Sequence, residues 1–108
     1  QPVNIIATSI GTAVAMGVVR QKPGQVNKII LCGVPTRDLN PGDEVYYEPL
    51  RTFPAENILG IQNENDNHGS FAEAEKFIYA FNPKIKILSK PRWDHEYLYT
   101  EDFVKFLQ

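Results

Sequence analysis

Cysteine is nearly absent from this 108-residue chain: Cys32 is the single one. That excludes an internal disulfide framework and a cysteine-rich zinc site. Long apolar runs are also missing, the longest being a few residues, so no segment is built to span a bilayer. Charge of one sign is scarce as well. The 11 Lys and Arg and the 13 Asp and Glu give a net charge of −2, with the signs mixed along the chain. That leaves no electrostatic footprint for nucleic acid or an anionic membrane surface. Gly-x-Gly-x-x-Gly does not occur and no acidic residue closes a second strand, which excludes the dinucleotide-binding fingerprint. No internal repeat, low-complexity tract or linker interrupts the chain. The first residues, Gln1-Pro2-Val3-Asn4, carry neither an initiator methionine nor a signal-peptide pattern.

What is present is the composition of one globular unit. A hydrophobic fraction of 43% and a charged fraction of 22% suffice for a modest core, so residues 1–108 read as a single domain. Cys32 lies in the run Ile29-Ile30-Leu31-Cys32 and reads as a small buried hydrophobe. A lone thiol is compatible with a reducing compartment, and the expected setting is cytoplasmic.

Apolar runs alternate with helical stretches. Val3-Asn4-Ile5-Ile6-Ala7 reads as a buried strand, and Thr12 to Val19 as a helix of small and apolar residues ended by Lys22-Pro23-Gly24. Lys28 to Cys32 is a second strand. Asp43 is the expected N-cap of a helix over Glu44 to Thr52, before a third strand, Asn57 to Gln62. Ser70 and Glu73 have capping-box spacing for a helix that presents Phe71, Ala74, Phe77, Ile78 and Phe81 on one face. Ile85 to Ser89 is a fourth strand, with the lysines of Lys84-Ile85-Lys86-Ile87 expected of a protected sheet edge. Thr100 is the expected cap of a last helix ending at Leu107. Strand and helix thus alternate four times, which predicts an α/β fold: a parallel sheet of about four strands, right-handed crossovers and helices on both faces.

Ala7-Thr8-Ser9-Ile10-Gly11 falls where the first strand turns into the first helix. A sharp strand–turn–helix elbow lifts a serine hydroxyl out of the sheet, and small residues two before and two after it let the backbones approach. The Ile10 amide would then face an oxyanion at the helix start. The bland alternative is that Ser9 or Thr8 merely caps the helix. A nucleophilic serine also needs a base, and the base a carboxylate that fixes its tautomer. Asp66 lies in the loop after the third strand and His95 in the loop after the fourth. In a parallel sheet these loops open at one edge, so the three residues can converge.

Ser9 in Thr8-Ser9-Ile10-Gly11-Thr12, Asp66 in Gln62-Asn63-Glu64-Asn65-Asp66 and His95 in Trp93-Asp94-His95-Glu96-Tyr97 together resemble the triad segments of the α/β-hydrolase family. The resemblance covers essentially the whole chain and corresponds to the C-terminal half of that fold. It implies a serine hydrolase of ester, thioester or amide bonds in small acyl substrates, with Ser9, Asp66 and His95 catalytic and Ile10 in the oxyanion hole. It implies no cofactor and no metal. Ala7 replaces the usual first glycine of the elbow, and Asn63 stands where many relatives have glycine. The family's second oxyanion donor comes from a loop after an earlier strand. Before Gln1 no such strand occurs, so the expectation is a fragment that is weak or inactive alone, by about 10²–10³ in rate for one missing donor. Its nucleophile strand would expose an edge, met by self-association or by an N-terminal half.

Other candidates are weaker. Glu64 could serve as the acid, though its position fits less well. Asp94 adjoins His95 and is badly placed to face it. His68 reads as a solvated loop residue or a contact at the site rim. A metal set of Asp66, His68, Asp94 and His95 lacks ligand spacing. Tyr46, Tyr47, Phe53, Phe71, Phe77, Tyr79 and Phe81 read as core, and Trp93, Tyr97 and Tyr99 as pocket lining or loop packing. The competing function is a non-catalytic α/β-hydrolase-like module that binds a partner through its sheet edge or pocket.

Overall fold

The computed structural model of the protein describes residues 2–108; Gln1, the first residue of the expected domain, lies outside them. Four strands, β1 (Val3–Thr8), β2 (Val26–Cys32), β3 (Ile58–Asn63) and β4 (Lys86–Lys90), form one sheet in the order β1-β2-β3-β4. Every pairing is parallel. Helix α1 (Gly11–Gln21) links β1 to β2, α2 (Phe71–Phe81) links β3 to β4, and α3 (Thr100–Leu107) follows β4. A 3₁₀ helix, Asp43–Arg51, lies between β2 and β3.

The side-chain period of a strand sorts the core into two layers. Ile29 and Leu31 of β2 point to one face and join Met16 and Val19 of α1, Tyr47 and Leu50 of the 3₁₀ helix and Ile78 of α2. Ile30 and Cys32 point to the other face, where Leu59, Ile61 and Tyr97 meet Phe103, Phe106 and Leu107 of α3. The three connecting segments therefore share one face, as sequential crossovers of one hand require. Covered on both sides, β3 is buried along its whole length. At the two ends of α3, Lys28 Nζ donates to Phe106 O at 2.9 Å and Lys90 pairs with Asp102 at 2.6 Å. Cys32 is fully buried, and its thiol is pushed up to about 12 by burial first and the Asp102 charge second.

Several local expectations are corrected. β1 is not a buried strand: as the first strand of the sheet it has a neighbour on one side only, Ala7 alone is buried in it, and Val3 and Ile6 are exposed. The segment after β2 is 3₁₀ rather than α-helical because Pro49 lies inside it and has no N–H for the α-helical ladder. Val45 O, the carbonyl that bond would use, accepts instead from Arg20 Nη2 at 2.8 Å. Asp43 is not its N-cap: Gly42 occupies that place with φ 96°, while Asp43 Oδ2 accepts from Asn40 N. Thr100 is not the cap of α3 either. Tyr99 precedes the first turn and its carbonyl accepts from Phe103 N, so Thr100 is already helical. Ser70 and Glu73 do form the capping box of α2. Of the aromatics expected in the core, Tyr47 and Phe53 are buried, but Tyr46 and Tyr79 are exposed. No helix among the described residues is long and apolar enough to cross a membrane.

Candidate active site

All four strands point their C-terminal ends to one edge, and the loops that leave them carry the candidate residues. At the end of β1, Ser9 has φ 59°, the one non-glycine residue with positive φ among those described. Such a conformation costs about 1–3 kcal/mol and persists only when the surroundings hold it. Here they do. Ser9 N–H extends the sheet by donating to Cys32 O at 2.9 Å, and Ser9 O accepts from Thr12 N at 2.9 Å and Thr12 Oγ1 at 2.7 Å. Thr12 is itself buried and shares a hydrogen bond with Tyr47 Oη. The capping alternative fails on this geometry: Ile10 is the N-cap of α1 and no side chain caps it. The Ser9 hydroxyl is left for another partner.

That partner is His95, whose Nε2 lies 2.8 Å from Ser9 Oγ. On the far side of the ring, Nδ1 lies 2.6 Å from Asp66 Oδ2. An ionised carboxylate can only accept, so Nδ1 carries the ring proton and Nε2 is free to accept from Ser9. The three residues, 86 and 29 positions apart along the chain, form one continuous relay. Asp66 is wholly buried, and its charge is met by three donors: His95 Nδ1, His68 N at 2.7 Å and Tyr97 Oη at 2.5 Å. Burial, then the bond to Asp66, pushes the Tyr97 phenol well above the usual range, so it stays a donor.

Asn63, where a glycine was the expected family residue, is the anchor of the histidine loop. Its amide donates to the carbonyls on either side of His95, at 2.9 Å to Asp94 O and 3.0 Å to Glu96 O. Its backbone N–H donates to Tyr97 Oη at 2.9 Å, and its side-chain oxygen accepts from Tyr99 Oη. Buried Gln62, one residue earlier, ties the loops after β2 and β3 together through Val34 N, Val34 O and Gly69 O. Gly33 completes the fit. A Cβ there would meet Tyr97 Cε1 at 2.5 Å and His95 Cε1 at 3.1 Å, on a backbone with φ 62°.

The remaining candidates fall elsewhere. Asp94 pairs with Arg92, which holds its carboxyl below the usual carboxylate range, and does not reach the imidazole. Glu64 joins the loops through its backbone, with N to Lys90 O and O from Phe71 N. His68 is not a free loop histidine. Its ring stands 4.2 Å from the His95 ring, tilted by 43°, and its Nδ1 meets Asp38 Oδ2 at 2.8 Å. Among the described residues no group of three or more His, Cys, Asp and Glu is gathered as metal ligands would be. Tyr97 and Tyr99 serve the hydrogen-bond network, while Trp93 is largely exposed. The Ile10 N–H makes no hydrogen bond among the described residues. A groove of about 740 Å³ opens at the opposite end of the strands beside Pro2, Val26, Phe53 and Asn57, and no triad residue lines it.

Sequence reasoning located Ser9, Asp66 and His95 but missed Asn63, Gln62 and the His68 stack. A polar pair at the end of a buried strand, Gln62-Asn63, was the available signal, since buried polar side chains need several partners. No protein-family model matches the chain, and no curated protein matches it.

Proposed function

We propose that this chain forms part of an α/β-hydrolase that cleaves ester, thioester or amide bonds of a small acyl substrate through an acyl-enzyme on Ser9. The observation that carries this reading is the unbroken relay from Ser9 Oγ through His95 to Asp66, with Ser9 held at positive φ. Ser9 Oγ attacks the carbonyl carbon as His95 Nε2 takes its proton, and the imidazolium is stabilised by Asp66. The oxyanion that forms turns toward the Ile10 N–H, one donor of the kind worth about 10²–10³ in kcat. Collapse expels the alcohol, thiol or amine, which takes the proton from His95. Water, activated by the same nitrogen, then releases the acid. No cofactor takes part in these steps.

The exposed side of β1 supports a second component of the reading, a partner at that edge. Val3 is 53% and Ile6 47% exposed on a strand whose outer hydrogen-bonding groups face no strand among the described residues. Either a second copy or further strands of the same protein would cover it. The same edge is what favours the rival reading of a non-catalytic binding module, and activity decides between them.

Hydrolysis of a short-chain aryl ester, followed from pH 5 to 8, tests the mechanism. An imidazolium cannot accept the Ser9 proton, so the rate should fall as the pH is lowered and His95 takes up a proton. A rate that is flat across this interval would remove His95 as the base.

A further inference from the structure

We propose that Tyr97 is a positioning residue for the relay: its phenol shares Oδ2 of Asp66 with His95, and so sets how strongly the carboxylate draws on the imidazole. This rests on the hydrolase reading above. The geometry behind it concerns a single oxygen. Asp66 Oδ2 accepts both the Nδ1–H of His95 and the O–H of Tyr97, at 2.6 and 2.5 Å. A wholly buried carboxylate must find donors or take up a proton. Before the serine proton moves, the imidazole is neutral and contributes only one hydrogen bond. The His68 backbone N–H serves the other oxygen, Oδ1. Among the described residues, Tyr97 is the one side chain that donates to the carboxylate without itself exchanging a proton in the reaction.

The phenol is held for this task from both sides. Its oxygen accepts from Asn63 N at 2.9 Å, which aims the O–H at Asp66. Its ring is 5% exposed and packs against Gly33, where any side chain would displace it. A phenylalanine would fill the same space. It would also strand the Asn63 N–H and leave Oδ2 with one donor instead of two.

The sign of the effect follows. A donor on Oδ2 spreads the carboxylate charge, so its loss concentrates that charge on the bond to His95 and favours the imidazolium. The other titratable and charged groups nearby are His68 with its partner Asp38, Cys32 behind the tyrosine ring, the Arg92–Asp94 pair, and exposed Glu96. None of them donates a side-chain hydrogen bond to Asp66.

The test compares wild type, Tyr97→Phe and the protein carrying 3-fluorotyrosine at position 97, an isosteric and more acidic phenol. Two readouts are taken: the pH–rate profile of aryl-ester hydrolysis, and the proton resonance of the His95 Nδ1–H bond. Tyr97→Phe leaves Oδ2 with the His95 donor alone, so its effect is read from the position of the profile and from the resonance. Its acidic limb should move up by about 0.5–1 pH unit and the resonance downfield. Fluorotyrosine should shift both in the opposite direction, which a packing role cannot do and which does not depend on Tyr97→Phe folding. Unmoved limb and resonance in the fluorotyrosine protein would overturn the proposal. A wild type that neither hydrolyses ester nor takes a fluorophosphonate on Ser9 would instead end the hydrolase reading, and the resonance alone would then decide whether Tyr97 tunes the carboxylate.

Discussion

At the C-terminal ends of the strands, buried polar side chains are abundant and nearly all are paired; along the outer side of β1 the surface is apolar and open. Gln62, Asn63 and Asp66 are each at most 1% exposed, and together they bind the loops after β2, β3 and β4 to one another. Between Pro2 and Val19 no charged residue occurs at all, and Val3, Ile6, Ile10, Val14 and Val18 are exposed there. The opposite edge of the sheet contrasts again: β4 begins and ends with lysine. Charge protects one edge against pairing, and the other is left available for it. The strand ends thus hold three side chains in fixed geometry, while the outer side of β1 is left open.

The largest expected effect on stability lies at the strand ends. Asn63→Ala removes the amide that holds both carbonyls beside His95 and strands the Tyr99 hydroxyl. It should cost about 2–4 kcal/mol, read from the denaturant midpoint. Ester hydrolysis should fall with it as the histidine loop loosens. A variant as stable as wild type would show that the two sides of the comparison differ less than their hydrogen bonds indicate.

A smaller change in stability, about 0.5 kcal/mol or less, is expected from Ile6→Lys on the open side. Its effect belongs to association. Wild-type protein should sediment as a self-associated species or with its covering strands, and Ile6→Lys should shift it toward monomer. Wild type that sediments as a stable monomer would contradict the reading of β1 as a covered edge.

The same contrast explains what was legible in the sequence. β2 and β3 announce themselves because a strand buried on both faces must be apolar throughout, as in Ile29-Ile30-Leu31-Cys32. Ser9, Asp66 and His95 were legible because parallel order places the loops after successive strands at one edge. Their partners were not. Asn63 and Gln62 act through backbone groups of distant loops, and no spacing rule announces which carbonyl an amide will meet. His68 stacks on His95 only because the two loops fold over one another. Pro49 was visible, yet a helix was expected over Glu44 to Thr52 from the turn residues before it and the Phe53-Pro54 stop after it, without weighing the N–H that Pro49 lacks.

The central claim is that Ser9 is an activated nucleophile, and intact-mass analysis after treatment with a fluorophosphonate tests it most directly. The account predicts a single adduct on the wild-type protein that disappears in Ser9→Ala. A folded wild-type protein that takes no adduct, or a Ser9→Ala protein that still takes it, would contradict the account.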